Sequence, residues 1–421
     1  MENKKPIILL FAANSISGLA QGISLLVIPW YFNEVLQNPS LYGVGYAVIT
    51  FISIFWSSYA GTLVDRFPRR RIFQGLNIGG FVILLSVAVT GFYQNQVPVP
   101  LIFLVFASTF FVFNIHFPNL YSLVQEITRP NYYSTINSYL EIQNQLTTAF
   151  AGGAAALLLR GVDEGTVSLW GLTFEAPISF EPVSLQAIFA LNAATYLIAF
   201  SLLTFLRYTP LIEKTTETGS VLKRMTSGFS YLINRPYILA FGILSHNVFV
   251  VVLVKLFFLF AMYVHNHLQE AGHIYALSDM FFALGALFAG IFARKLFAGT
   301  NTIKSVLVNL LLATLIMFTY VITTWIPLVF FVSFLLGLAN SSTRILRVTY
   351  LFNHIPNYII GRVNSVFVVI NTFLRMLFIG LFSMAFFAEG NNVIYAYLIF
   401  GTFLFVSFVL LMIIYPKLPK N

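Results

Sequence analysis

The sequence is built from apolar runs of 20 to 28 residues separated by short polar turns. A run of this length crosses a hydrocarbon core of about 30 Å as an α-helix, and it is too long and too evenly apolar for a barrel strand. Only 9% of the residues are charged and 58% are hydrophobic, against about 25% charged in ordinary soluble domains. The chain is therefore predicted to be an all-α integral membrane protein.

Twelve membrane spans can be placed on these runs. They cover residues 7–33, 41–64, 71–93, 99–125, 134–160, 183–206, 236–263, 272–293, 303–324, 326–349, 361–388 and 391–415. With a cytoplasmic N-terminus, the inner segments hold all of the 23 Lys and Arg residues except Arg160, Lys255 and Arg375. This asymmetry predicts that both termini are cytoplasmic. It also explains the net charge of +9 by topology, so no nucleic-acid partner is predicted.

The polar segment 207–235 follows the sixth span and predicts a cytoplasmic linker between two six-helix bundles, 1–206 and 236–421. A basic turn that contains glycine follows the second span of each bundle, at 61–71 and at 285–295. Such a repeat is typical of transporters whose two bundles rock around a site at the membrane midplane.

The turn after the second span resembles the loop motif G-x-L-x-D-R-x-G-R-R of the major facilitator superfamily, and the likeness to that family extends over the whole chain. The matching residues are Gly61, Leu63, Asp65, Arg66, Arg69 and Arg70. Pro68 stands where the family usually has glycine. The resemblance implies twelve helices in two pseudo-symmetric bundles.

The resemblance also implies that Asp65 acts as a latch. It would face the start of span eleven, near Gly361 and Arg362, and hold the cytoplasmic side closed. A carboxylate near a helix N-terminus gains about 0.3–1 kcal/mol. The alternative is that the arginines of the turn only anchor it on the cytoplasmic side.

Three further stretches resemble the macrolide-efflux and siderophore-exporter branch of the superfamily: 189–196, 228–236 and 361–365. The antiport signature of span five is only partly present. Gly152 and Gly153 fit it, but Ala149 stands in place of its proline. The two glycines can serve in coupling or in close helix packing.

Ionisable residues at membrane depth are costly and are therefore candidates for function. Glu141 shares a face of span five with Asn144 and Gln145, and this face either lines the cavity or brings the carboxylate to cytoplasmic water. Lys255 and Asp279 lie at matching depth in spans seven and eight. They form either a static ion pair or a pair that responds to protons or substrate.

Arg375 lies near the middle of span eleven, where it can bind an anionic group or bridge to carbonyls or an acidic neighbour. Arg344 and Arg347 are predicted to anchor the cytoplasmic end of span ten. His116 and His246 are predicted to be polar packing residues, although His246 could face the cavity.

Four outer residues resemble a metal site superficially, but their spacing matches no standard motif, and no metal or other cofactor is predicted. They are His265, His267, Glu270 and His273. The chain has no cysteine, no phosphate-binding loop and no catalytic motif, so it is not predicted to be an enzyme. The outer insertion 161–186 either caps the exit or decorates the surface.

The sequence thus predicts a secondary active transporter, namely a proton-coupled exporter of lipophilic or amphipathic small molecules such as drugs, macrolides or siderophores. Its partners would be that substrate, a proton or cation gradient and the lipid bilayer. It is expected to act as a monomer in a bacterial cytoplasmic membrane. The alternatives are a facilitator or importer of an organic anion, and a non-transporting sensor or a lipid-acting enzyme.

Overall fold

The computed structural model describes residues 4–129, 132–161, 166–169, 172–175, 179–209, 221–296 and 300–419. Its elements up to the linker are α1 (Lys4–Glu34), α2 (Pro39–Arg66), α3 (Arg69–Gln94), α4 (Val99–Ile127), α5 (Tyr133–Arg160), β1 (Thr166–Leu169), β2 (Leu172–Glu175) and α6 (Leu185–Phe205). The strands β1 and β2 form an antiparallel hairpin within the predicted insertion 161–186.

The later elements begin in the predicted linker. They are α7 (Val221–Ile233), α8 (Pro236–Val254), α9 (Phe260–Tyr263), α10 (Gly272–Leu296), α11 (Thr302–Ile322), α12 (Ile326–His354), α13 (Asn357–Phe382), α14 (Ala385–Ala388) and α15 (Val393–Ile414). Two π-helical turns, Lys255–Leu259 and Val264–Leu268, flank α9. A short 3-10 turn, Tyr415–Lys417, follows α15.

Among the described residues, eleven helical stretches are long and apolar enough to cross a bilayer. The helix α5 covers the remaining predicted span, 134–160. A helix pairs its backbone N–H and C=O groups within itself, which a chain in lipid requires. The predicted all-α class with twelve spans is confirmed.

Helix ends differ from the predicted spans where polar residues continue a helix. The helix α12 runs to His354, beyond the predicted end at 349, and its last two residues, Asn353 and His354, are polar. The final part of the predicted linker is also helical, as α7. Hydropathy measures only apolar length, so it detects neither feature.

The chain divides into two compact units. Unit 1 comprises Met1–Gln37, Phe55–Thr216 and Glu270–Met280, and unit 2 comprises Asn38–Ile54, Glu217–Gln269 and Phe281–Asn421. The division therefore falls inside α2 and α10. The predicted boundaries at 206 and 235 remain a prediction.

In unit 1, α1 packs against α5 and α6, and α3 packs against α4 and α6. Small residues bring helices of unit 1 close together at two points. A Cβ atom on Gly22 of α1 would press on Ala151 of α5. A Cβ atom on Gly152 would lie 2.9 Å from the carbonyl oxygen of Ala276 at the start of α10. Gly152 therefore has a packing role, whatever its role in coupling.

In unit 2, α8 packs against α12, α13 and α15, and α11 packs against α12 and α15. The helices α10 and α12 cross at two glycines. A Cβ atom on Gly285 would overlap the carbonyl oxygen of Phe334, and one on Gly337 would overlap that of Phe282. We call this the glycine crossing. The backbones of the two helices touch there with no side chain between them.

Candidate transport site

Asn14 of α1 joins three helices of unit 1. Its side chain is 6% exposed. Its Nδ2 donates to Gln143 Oε1 at 3.1 Å and to Asn144 Oδ1 at 3.4 Å, both on α5. Its Oδ1 lies 2.6 Å from His116 Nε2 on α4. Because the amide oxygen accepts, the proton of this hydrogen bond belongs to His116 Nε2.

Gln143 completes this polar network. Its Nε2 donates to the carbonyl oxygen of Phe11 and to Ser15 Oγ, while its Oε1 accepts from Asn14. A buried amide costs free energy unless its hydrogen bonds are made, and here both ends of the amide are bonded. The network therefore holds α1, α4 and α5 in a fixed arrangement.

A pocket of about 460 Å³ lies beside the network, between α1 and α5. Its polar lining residues are Ser15, Gln143 and Thr147. Its apolar and aromatic lining residues are Ile16, Leu19, Tyr139, Ile142, Leu146 and Phe150. A mostly apolar wall with a few hydrogen-bonding groups suits an amphipathic molecule.

The predicted face of α5 is only partly brought into this site. Asn144 takes part in the network, and Gln145 is half-buried. The side chain of Glu141 lies outside the described residues, so its cavity role remains a prediction. Gln143, which the predicted face omitted, makes the larger number of contacts in the network.

Lys255 is buried among aromatic rings of unit 2. It opens the first π-helical turn, and its Nζ lies 3.5 Å from the ring centroid of Phe260 and 4.9 Å from that of Tyr320. The rings of Tyr263 and Tyr397 pack against Tyr320 at 5.4 and 5.2 Å. Aromatic faces attract a desolvated ammonium group, so this cage stabilises the buried charge.

Asp279 is also buried, with 7% of its surface exposed, but it belongs to unit 1 whereas Lys255 belongs to unit 2. Each residue is thus buried within its own unit. Their pairing remains a prediction.

Arg375 of α13 interacts electrostatically with Tyr46, which belongs to the part of α2 in unit 2. One turn before it, Asn371 is buried, and its Nδ2 makes no hydrogen bond within the described part of the chain. Two donor side chains, Asn371 and Arg375, thus lie one turn apart on α13. The anion-binding role of Arg375 remains a prediction.

The arginines of the loop motif bind inside unit 1. Arg69 forms an ion pair with Glu126 at the end of α4, and Tyr208 donates to the other oxygen of that carboxylate at 2.9 Å. Burial and the neighbouring Glu126 raise the pKa of Tyr208, so its hydroxyl remains a donor. Arg70 donates to the carbonyl oxygens of Leu203 and Thr204, where α6 ends.

The remaining motif residues are less informative. Leu63 packs beside a small core of Val64 and Ile115, and Arg66 is exposed. The side chain of Asp65 and the surroundings of Gly61 lie outside the described residues, so the latch is not tested.

Two of the other stretches that carry the family resemblance meet in unit 2. A Cβ atom on Gly228 of α7 would lie 2.5 Å from the carbonyl oxygen of Arg362 on α13. Arg362 Nη1 donates to Ser227 Oγ at 3.3 Å. The helix α7 therefore lies directly on the start of α13.

Comparison with models of protein families agrees with the helical fold described above. The model of the Major Facilitator Superfamily matches residues 10–379. The chain belongs to this superfamily. It is accordingly a multi-pass membrane transporter. A search of curated proteins finds no match.

Solved structures of superfamily-like fold cover almost the whole chain. The nucleoside transporter NupG has a TM-score of 0.70 at 12% identity and covers 97% of this chain and 99% of its own. A D-xylose–proton symporter has a TM-score of 0.72 at 13% identity and covers 98% and 97%. A bacterial homologue of the iron transporter ferroportin, in its inward-facing state, has a TM-score of 0.68 at 14% identity and covers 96% and 98%. At these identities the likeness shows the fold alone.

Sequence reasoning missed the central residue of the unit 1 network. The sequence shows that Asn14 is an amide within an apolar span. It does not show which residues this amide bonds. His116 was expected to be a polar packing residue, and it does pack on Phe73 at 5.1 Å. The sequence does not reveal that it also bonds Asn14.

One of the outer histidines, His267, is held by hydrogen bonds in unit 2. His267 Nδ1 lies 2.7 Å from Asn391 Oδ1, and its Nε2 lies 3.1 Å from the carbonyl oxygen of Thr323. Nearby, Asn266 donates to the carbonyl oxygen of Ala388. These contacts join the ends of α11, α14 and the second π-helical turn.

Proposed function

We propose that this superfamily member is a proton-coupled exporter of lipophilic or amphipathic small molecules, working by alternating access. The observation that carries the proposal is the pocket of about 460 Å³ between α1 and α5. Its size suits one drug-sized molecule, and its lining joins an apolar wall to hydrogen-bonding groups from Ser15, Gln143 and Thr147. The stretches that resemble the macrolide-efflux and siderophore-exporter branch support the same substrate class.

Proton coupling is proposed for the buried ionisable residues. We assign this role to Glu141 and Asp279, because a carboxyl group at membrane depth is costly to ionise. Protonation would remove that cost, and loss of the proton would restore it. The proposed topology places both termini in the cytoplasm of a bacterial cell, as the distribution of basic residues predicts.

The experiment is transport by the purified chain in liposomes with an imposed pH gradient. The panel would contain dyes, macrolides, siderophores and lysolipids, and vesicles of known orientation would give the direction. We expect at least one compound to move only when the gradient is present. Absence of gradient-dependent flux across the panel would remove the proton-coupled exporter from consideration.

The same assay tests the pocket. Leu146→Trp adds volume inside it and is expected to lower flux at least tenfold. Leu157→Trp is the matched control, because Leu157 lies on the same helix, is about as exposed (40% against 38%) and does not line the pocket. Equal flux in the two variants would show that substrate does not use the pocket.

A facilitator or importer of an organic anion is the second candidate, and charge distribution favours it. Unit 2 contains thirteen Lys and Arg residues but only two acidic residues, Glu217 and Glu389. Flux of an organic anion that persists without a pH gradient would support this candidate over the first.

A further inference from the structure

The polar edge of the pocket between α1 and α5 is built around Gln143, whose own amide is already occupied. Both hydrogens of its Nε2 are donated, one to the carbonyl oxygen of Phe11 and one to Ser15 Oγ. Its Oε1 accepts from Asn14 Nδ2 at 3.1 Å. A side-chain amide has two N–H donors, so Gln143 has none left for a bound molecule. Its role at the pocket is to hold Ser15 in place.

Ser15 is the first hydroxyl that the network leaves at the pocket wall. Its Oγ accepts from Gln143, and a hydroxyl has a single hydrogen of its own to donate. A serine inside a helix commonly donates to the carbonyl oxygen one turn earlier. For Ser15 that oxygen belongs to Phe11 and is used by Gln143, and Ser15 donates to no acceptor within the described ranges. Its hydrogen therefore remains for an acceptor in the pocket.

Thr147 of α5 supplies a second hydroxyl. Its methyl carbon Cγ2 lies beside Gly18 of α1, where an added Cβ atom would be 3.0 Å away. Its hydroxyl makes no hydrogen bond to another described residue. The next residue, Thr148, differs in both respects, because it does not line the pocket and its Oγ1 donates to the carbonyl oxygen of Asn144 at 2.9 Å. Thr147 and Ser15 thus give the pocket two available donors.

The described lining of the pocket carries no charge. Its third hydroxyl belongs to Tyr139, which is 54% exposed. The acidic residue of α5 is Glu141. In a regular helix its position is about 160° from that of Gln143 and about 180° from that of Phe150, so it belongs to the other side of α5. A charged molecule in the pocket would lose water without gaining a counter-charge, which is costly.

We propose that the pocket binds an uncharged lipophilic molecule that carries a hydrogen-bond acceptor, such as a ketone, ester or ether oxygen. Ser15 and Thr147 donate to that oxygen, and the apolar wall holds the rest of the molecule. An analogue without the oxygen would leave the two donors unpaired and bind more weakly. The inference deepens the proposed function, on which it rests, by naming two specificity-determining residues and by excluding charged substrates from this pocket.

The test is thermal unfolding of the full chain in dodecyl maltoside with octanophenone, a ketone, and with octylbenzene, which lacks its oxygen. We expect octanophenone to raise the unfolding midpoint, because a ligand that binds the folded state stabilises it. Thr147→Val keeps the shape of the side chain without its hydroxyl and should raise the half-maximal concentration of octanophenone at least fivefold. Thr148→Val is the matched control and should leave it unchanged.

Ser15→Ala is the second variant and should weaken octanophenone binding in the same way. Neither variant should change the response to octylbenzene. Partition of a probe into the detergent is the same for every chain, so differences between variants report the protein. Three further probes are compared with the ketone at equal concentration in the micelle: octylindole, which can only donate, the para-octylbenzoate anion and the para-octylbenzylammonium cation. Each is expected to stabilise the chain less than octanophenone.

An unchanged half-maximal concentration of octanophenone in both Thr147→Val and Ser15→Ala would overturn the proposal, as would an equal loss in Thr148→Val. Stabilisation by octylindole or by either charged probe that equals that by the ketone would also overturn it. Binding is measured without a gradient. Ketone binding without gradient-driven flux of any compound would therefore reject the proposed function alone, and flux without the expected ketone response would reject this inference alone.

Discussion

Arg69 and Arg70 are adjacent in the loop motif but hold different helices. Arg69 binds the end of α4 through Glu126, and Arg70 binds the last carbonyl groups of α6. A cation at a helix C-terminus also stabilises the helix dipole. These arginines therefore fasten the turn within unit 1, a task separate from the latch that family resemblance assigns to Asp65.

The two tasks predict different results for single substitutions. Asp65→Asn should slow transport with little change in thermal unfolding, because the latch is made only in one state of the transport cycle. Arg69→Gln should lower stability by about 1–3 kcal/mol, since it leaves the Glu126 carboxylate without its ion pair. Arg71→Gln, at an exposed position in the same turn, is the control. Full transport by a well-expressed Asp65→Asn chain would reject the latch.

Residue roles in the sites were predictable only where the sequence shows both partners. The arginines of the turn stand together in the sequence, and their charge points to an interface. Asn14 bonds Gln143, 129 residues later, and no local pattern joins the two. The burial of Arg347 was not predictable, because hydropathy measures apolar length and does not show that α8 packs against this position of α12.

At the scale of elements, the glycine crossing between α10 and α12 replaces side-chain packing with backbone contact. Small residues allow this approach in membrane helices, where no hydrophobic effect drives association. The sequence suggested a different role for the first of these glycines, because it grouped Gly285 with the basic turn that repeats the loop motif. Its partner Gly337 carried no signal, since a glycine in a span does not reveal which helix approaches it.

The glycine crossing predicts that one added methyl group destabilises the protein at Gly285 but not at Gly290. Gly285→Ala should destabilise the protein by about 1–3 kcal/mol or prevent folding, because the new Cβ would overlap the backbone of α12. Gly290→Ala on the same helix is the control, because a Cβ there meets nothing within 4 Å. Thermal unfolding in detergent measures both. A Gly285→Ala chain as stable as Gly290→Ala would show that the helices are not in backbone contact.

The positions of the long helices could be predicted from the length of the apolar runs. The positions of the irregular elements could not. The predicted span 71–93 corresponds to α3 (Arg69–Gln94), and 183–206 corresponds to α6 (Leu185–Phe205). The helix α7 was predicted as part of a loop because it is amphipathic and short. The two π-helical turns were not predicted, since a change in hydrogen-bond register leaves no mark on hydropathy.

At the scale of the molecule, the two units differ in charge. Unit 1 contains ten Lys and Arg residues and twelve acidic residues, whereas unit 2 contains thirteen and two. The net charge of +9 thus comes entirely from unit 2.

Lys255 belongs to unit 2 and Asp279 belongs to unit 1. Substitutions of these two residues distinguish a static ion pair from a pair that couples transport to protons. If they form a static pair, Lys255→Ala with Asp279→Ala should be more stable than either single variant, and the double variant should still transport. If they couple transport to protons, the double variant should fold but lose gradient-driven flux. Flux and unfolding midpoints of the three variants decide between the outcomes, and retained flux in the double variant would exclude coupling.

The two π-helical turns change how span seven must be analysed. Each takes one residue more per turn than an α-helix, which rotates everything beyond it by about 100° around the axis. A regular helical wheel drawn over this span therefore assigns its outer part to the wrong face. Because the turn absorbs one extra residue, deleting a single residue inside the first turn would restore regular winding and leave His267, at the outer end, facing Thr323.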